Sequence, residues 1–339
     1  MKHVAQAAGV SVMTVSLALR RDPSIPAATQ ERVVAVAAEV GYRRNPLVSV
    51  LMAALRGGTP RGSGAHVIAY VESYPATATP QQAASLQRFR AGVVEGAARH
   101  GYRVQFFRMG ETGLSEARLE HVLTARGIRG VVFSPFPQTG ATLQQRWENH
   151  ALAVLGYSLA EPRLHRAVNH QAHAIRLALS KLIALGHRRI GVAIRRHEDE
   201  RAHRYWLSAV LLARHDHAKT RIRFPLWMAE VIERRPLESW LRRERPDVVL
   251  VTDREVHGML RGKGVGFAHL HLTSGMPGWS GIDQNNERVG TAAVDLVVEQ
   301  LHGNQFGVPE NPKTVLIEGR WVPGNTALGL QRGRRSKLS

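Results

Sequence analysis

His197, Glu198, Asp199, Glu200 and His203 fall within one short stretch, and imidazoles and carboxylates so close together could hold a divalent cation. The same stretch reads more simply as a solvated helix start, where the dipole favours acidic side chains. We take this second reading and expect no metal. The chain has no cysteine, and it lacks G-x-S-x-G, a phosphate-loop lysine and H-E-x-x-H. No catalytic residue and no cofactor is therefore expected. What remains suits binding. Ser73, Tyr74, Phe136 and Asp253 follow short apolar runs, and Asp283 and Asn285 precede a helical pattern. Such a mixture of hydroxyl, carboxylate, amide and aromatic face fits a polar small molecule, with Trp206, Trp227 or Trp279 available for stacking.

The elements that would position these residues alternate. Apolar runs at Val67–Val71, Val104–Phe107, Gly130–Ser134, Leu152–Leu155, 189–194 and 247–252 read as strands. Helical patterns at 83–100, 171–185, around 202–214 and 286–302 lie between or after them. This order predicts an α/β domain of parallel sheets with crossover helices, repeated in two lobes over residues 65–339. Folds of this kind bind ligands beyond the C-terminal ends of their strands.

The first residues differ in kind. KHVAQAA (2–8) is a short helix ended by Gly9, and Ser11 is placed to cap a second helix, Val12–Leu19. Val15, Ala18 and Leu19 share its buried face, so Val12, Met13, Thr14, Ser16 and Leu17 face outward. A third helix, Ala27–Val40, buries Val33, Val36, Ala37 and Val40. Three short helices with a tight glycine turn between the first two read as a helix-turn-helix over residues 1–44. NPLVSVLMAALR (45–56) follows as a further helix, with Asn45 as cap and Pro46 at its first position. GGTPRGSG (57–64) then reads as a flexible boundary, so residues 45–64 form hinge and linker.

VAQAAGVSVMTVSLAL, followed by RVVAVAAEVGYRRNPLV, resembles the DNA-binding domain of the lactose/galactose-repressor (LacI/GalR) family over residues 2–56. ALSKLIALGHRRIGV (178–192) and GIDQNNERVGTAAVDLVVEQLHG (281–303) resemble the same family, while 195–280 diverges. The resemblance implies that Val12 and Met13 read bases, and that Thr14, Ser16, Thr29, Tyr42 and Asn45 contact phosphate or position the backbone. It implies that paired hinge helices lie in the minor groove with Leu51 as the wedge. It also implies a homodimer on an inverted-repeat DNA operator, two lobes like those of periplasmic binding proteins, and a sugar-like effector between them. Arg201 lies near an arginine with which many members bind ligand, and His170 stands where the family usually has Asp.

Departures alter the expected readout. Leu17 replaces a base-reading Arg, and Val12 and Met13 are apolar, so thymine methyl contacts and DNA shape should carry more of the specificity. Arg20, where the family has Asn, could supply a replacement polar contact. Pro26 takes the place of the capping residue before the third helix. Met1 abuts the first helix where a capping Thr is usual, which suggests a translation start slightly upstream.

Composition agrees. The net charge of the 339 residues is +19, which favours polyanionic partners. Residues 1–61 hold eight Lys/Arg against three Asp/Glu, so much of the excess lies elsewhere in the chain. No apolar run approaches a membrane span and no export signal is read, so a cytoplasmic location is expected. The expected function is a transcription regulator, with a repressor favoured. A sugar-binding transport-type protein sharing the sensing fold is the alternative.

Overall fold

The computed structural model describes residues 2–19, 24–40, 66–73, 78–110, 113–260 and 262–328. The chain divides into two compact units, Met1–Arg61 grouped with Gln300–Gln305, and Gly62–Glu299 with Phe306–Ser339.

The first unit contains α1 (Lys2–Ala8), α2 (Val12–Ala18) and α3 (Ala27–Glu39). Gly9 turns between the first two at φ 63°, where a side chain would be strained. Ser11 caps α2, its Oγ accepting the Thr14 N–H at 3.0 Å. Val4, Ala5, Ala8, Val15, Ala18, Val33 and Ala37 are buried together, and Val10, Leu19, Ile25 and Val36 pack against them. One expected core residue does not join. Val40 is exposed because α3 ends at Glu39, one position before it. With Pro26 at the cap position, its carbonyl accepts from Thr29 and Gln30, and the Gln30 side chain donates back to Ile25 O at 2.8 Å.

The second unit holds two parallel sheets. Its elements in chain order begin with β1 (Val67–Glu72), α4 (Pro80–Arg99), β2 (Arg103–Arg108), α5 (Glu116–Ala125), β3 (Gly130–Phe133), β4 (Ala141–Thr142), β5 (Ala151–Leu155), β6 (Leu159–Glu161) and β7 (His165–Asn169). They continue with α6 (Gln171–Ala184), β8 (Ile190–Arg195), α7 (Arg196–Arg201), α8 (Tyr205–Asp216), β9 (Leu226–Ala229), α9 (Arg234–Glu244), β10 (Val248–Val251), α10 (Glu255–Leu260), β11 (Gly266–His269) and β12 (Gly281–Asp283). Last come α11 (Asn286–Gly303), β13 (Thr314–Ile317) and β14 (Arg320–Val322).

The first lobe's sheet runs β13-β7-β5-β3-β1-β2, and the second lobe's runs β14-β12-β11-β10-β8-β9. Only β14 lies antiparallel to its neighbour among these paired strands. Central strands such as β5 and β10 are buried at every residue, as strands covered on both faces by helices must be. The chain passes between lobes at three places, and each crossing is short. His170 alone separates β7 from α6, Gln284 and Asn285 separate β12 from α11, and Glu318 and Gly319 separate β13 from β14.

The expected helix at 83–100 begins earlier, at Pro80, because Thr79 and Gln82 form a reciprocal capping box. α4 and α11 cross at glycines. A Cβ at Gly92 would overlap the backbone of Glu287, and one at Gly290 would overlap Phe89 O. No helix among the described residues is long and apolar enough to cross a membrane.

Candidate functional site

In the first unit, burial of Val15 and Ala18 turns the other side of α2 outward. Met13 is 71% exposed and Val12 42%, while Thr14, Ser16 and Leu17 are half-buried. The Thr14 hydroxyl lies 2.9 Å from Ser11 Oγ, which ties it to the cap. Thr29 lies half-buried in the first turn of α3. A helix presenting two apolar side chains at its start can enter a major groove and touch thymine methyls. Arg20, Tyr42, Asn45 and Leu51 lie outside the described residues.

In the second unit, the strand ends of both lobes collect polar side chains. Ser73 follows β1, and its Oγ is buried without a hydrogen-bond partner. Across from the first lobe, Arg195 ends β8 and pairs with Asp253 just beyond β10. Asp253 is 7% exposed, and its Oδ1 accepts the Glu255 N–H at 2.8 Å. Arg195 Nε is buried and unpartnered, and Thr252 Oγ1 and Glu198 Oε2 are buried near one another without a well-formed hydrogen bond. Burial holds the Glu198 carboxyl above the usual carboxylate range, against the pull of Thr252 and His197. Buried polar atoms without partners are costly, and such atoms at strand ends can receive a hydrogen-bonding ligand. Tyr74 lies outside the described residues.

Arg195, Glu198 and Thr252 escaped the sequence reading. Arg195 is one residue beyond the expected strand 189–194, and the strand-end rule would have found it. Glu198 was hidden in the acidic stretch. That stretch is not a solvated helix start throughout. Asp199 is 2% exposed and accepts the N–H groups of Trp206 and Leu207, both at 3.1 Å, so it caps α8. The expected single helix is thereby split, with His203 and Arg204 at φ 52° and 58° between α7 and α8. No group of metal-holding side chains occurs among the described residues.

Arg201 spans the lobes, donating to Pro137 O at 2.7 Å and Phe136 O at 3.1 Å. Phe136 thus offers its carbonyl, because its ring is buried in the first lobe's core against Phe133. Beside this link, Tyr157 of the first lobe packs at a tilt against His203 with ring centroids 4.3 Å apart and lies 6.0 Å from Tyr205. Burial, with Tyr205 next, pushes the Tyr157 phenol up to about 12. Gln81 Nε2 donates to Thr252 O at 3.2 Å, a further contact between lobes. The tryptophans do not stack over the cluster. Trp227 and Trp279 pack with the second lobe's core, and Trp206 donates to Gln171 at 3.0 Å.

His170, Asp283 and Asn285 sit at the crossings. His170 caps α6, its Nδ1 accepting the His173 N–H at 3.3 Å, and burial followed by His173 lowers its pKa. Asn285, at φ 53°, donates to Glu318 O at 2.7 Å and so ties two crossings together. Asp283 accepts from Arg88 at 2.8 Å, from Arg320 at 3.0 Å and from the Asn285 N–H at 3.1 Å. Burial alone would raise the Asp283 carboxyl, but the hydrogen bonds from Arg88 and the Asn285 N–H bring it below the usual range. Beneath them, Asn169 Nδ2 donates to Gln284 O at 2.8 Å, and Asn286 Nδ2 lies 3.2 Å from His271 Nε2. Burial, then Arg88, pushes His271 down to about 4, which leaves it neutral.

Residues 1–45 match the family model described as bacterial regulatory proteins, lacI family. This head is similar to members of that family over those residues. The maltose regulon regulatory protein MalI of Escherichia coli (strain K12) is 34% identical over 191 residues, 55% of this chain and 51% of that protein. The chain thus spans about half the length of this curated relative. Among solved structures, the lac repressor dimer bound to operator and the anti-inducer ONPF aligns with a TM-score of 0.53 at 19% identity, covering 96% of this chain and 98% of that one. The transcriptional regulator CelR–cellobiose complex aligns at 0.51 and 18% identity, again over 96% and 98%. A periplasmic binding protein/LacI transcriptional regulator from Alkaliphilus metalliredigens QYMF, complexed with D-xylulofuranose, aligns at 0.54 and 12% identity over 77% and 98%. The chain shares their fold: a helix-turn-helix head followed by a two-lobed α/β domain of the periplasmic-binding-protein type.

Proposed function

We propose that this chain is a sequence-specific DNA-binding transcription regulator, acting as a repressor in the cytoplasm under control of a small effector. The observation that carries the reading is one chain holding both a lacI-family head and a strand-end cluster of unpartnered polar atoms. A homodimer places two heads on an inverted-repeat operator, since matching half-sites require matching subunits. Val12 and Met13 touch base edges, with Thr14, Ser16, Leu17 and Thr29 beside them, and Arg20, Tyr42 and Asn45 add polar or phosphate contacts. Leu51 wedges a base step in the minor groove.

The effector is a polar, sugar-like molecule. The name of MalI and the cellobiose and xylulofuranose complexes of structural relatives support a carbohydrate. Ser73, Arg195, Glu198, Thr252 and Asp253 hold it, with Arg201 beside them and Tyr74 as a further contact. His170, Asp283 and Asn285 act at the crossings, where they set the angle between the lobes. Selection of bound duplexes from random DNA by the full chain tests this reading. It predicts enrichment of an inverted repeat, and no enrichment over input would refute it.

A further inference from the structure

The +19 charge leaves an excess that the head does not hold, and part of it gathers at the end of the second lobe away from the strand-end cluster. Segments 188–189, 214–223 and 242–247 carry nine Lys/Arg against three Asp/Glu. They surround a groove of about 530 Å³ lined by Arg189, Arg214, His217, Arg223, Phe224 and Glu244 among others. Arginines in the last turns of α8 and α9 have an ordinary role there, since cations favour helix C-termini. That role does not extend to Arg189 and Arg223, which stand just before β8 and β9.

The guanidiniums of Arg214 and Arg223 are anchored by backbone carbonyls. Arg214 Nε donates to Phe224 O at 2.9 Å, and Arg223 Nη1 donates to Thr220 O at 2.6 Å and Ile222 O at 2.9 Å. Arg189 is held by Glu244, through its backbone carbonyl and a carboxylate oxygen at 3.3 Å. Neither Arg214 nor Arg223 has a carboxylate partner among the described residues. His217 lies against Phe224 with ring centroids 5.5 Å apart, and its Nδ1 is buried without a hydrogen-bond partner. Guanidiniums fixed by carbonyls at one edge keep their remaining N–H groups for a planar or tetrahedral oxyanion.

We infer that this groove binds a small phosphorylated anion, a second ligand distinct from the one proposed at the opposite strand ends. β8 has six residues, so the two sites lie about 20 Å apart at roughly 3.3 Å per residue. Arg214 and Arg223 grip the phosphate oxygens and Arg189 adds charge, with His217 beside them in the lining.

Inorganic triphosphate titrated calorimetrically into the full chain at low salt tests the site. The expected result is saturable binding, weakened roughly tenfold or more by Arg214→Gln/Arg223→Gln, as loss of charge-assisted hydrogen bonds requires. Arg118→Gln/Arg126→Gln, two exposed first-lobe positions, should leave it unchanged. Arg223→Gln alone, at an exposed position, serves if the double variant does not fold. No saturation in the millimolar range overturns the proposal. So do equal losses in both variant pairs, which would mean diffuse attraction. A lower Tm with an unchanged titration would assign the arginines to the helix ends and overturn it as well. Weaker binding of random duplex DNA by the groove variants, without triphosphate binding, would make this face a nucleic-acid contact and refute the small-anion site.

Discussion

Asp253 and Asp283 are both buried carboxylates at strand ends of the second lobe, and each pairs with arginine. Their surroundings separate them. Asp253 neighbours unpartnered polar atoms, whereas Asp283 is taken up by Arg88, Arg320 and the Asn285 N–H. Asp253→Asn should therefore weaken the effector response by roughly tenfold or more while operator affinity without effector stays within about twofold, because a charge-assisted contact to ligand is lost. Effector titrations on operator DNA check this, and an unchanged titration would move the cleft elsewhere. Asp283→Asn should instead lower stability by about 1.5–3 kcal/mol in urea unfolding, the worth of hydrogen bonds to a charged group. The sign of its pH dependence follows from the depressed folded-state pKa. The contribution is complete above the unfolded value near ~3.9 and is lost as pH falls through the folded-state value below it. The gap between wild type and Asp283→Asn should thus be constant from neutrality to about pH 5 and close only in stronger acid. A gap that widens on acidification would contradict the assignment.

The α4–α11 crossing shows how an element can depend on a single missing side chain. Gly92→Ala puts a methyl into the Glu287 backbone, and the helices must part or shift. We expect a destabilisation of about 1–3 kcal/mol, typical of overpacking, read as a lower urea midpoint at an unchanged slope. An unchanged midpoint would mean that the crossing yields freely. Glycine at this position was not legible from one sequence, since its role depends on a helix almost two hundred residues away. Other elements were legible to different degrees. β1, β3, β5, β8 and β10 are apolar runs buried on both faces and announce themselves. β7 reads HRAVN and β12 has three residues, so neither carries a pattern of its own. α9 could have been read, because Leu237, Trp240 and Leu241 fall at helical spacing, but four arginines and a proline obscure it. Strand-end logic placed Ser73 and Asp253, which the structure finds beside unpartnered polar atoms. It did not show that the Phe136 ring turns into the core, nor that Glu198 in its acidic helix is buried.

At the scale of the whole molecule, the proposed regulator joins a head placed to read DNA to lobes placed to read a small molecule. Each half has its own support, the family match for residues 1–45 and the two-lobed fold for the remainder. The coupling between them is the central claim, and linkage makes it measurable: an effector that changes operator affinity must itself bind more or less tightly when operator is present. Fluorescence anisotropy of the full chain on its selected inverted repeat, at fixed physiological salt, with a panel of mono- and disaccharides titrated in, tests this most directly. At least one sugar should shift the operator Kd by roughly fivefold or more, and the shift should disappear in Asp253→Asn. Operator binding that no sugar changes, or a shift that survives Asp253→Asn intact, would contradict the proposed coupling.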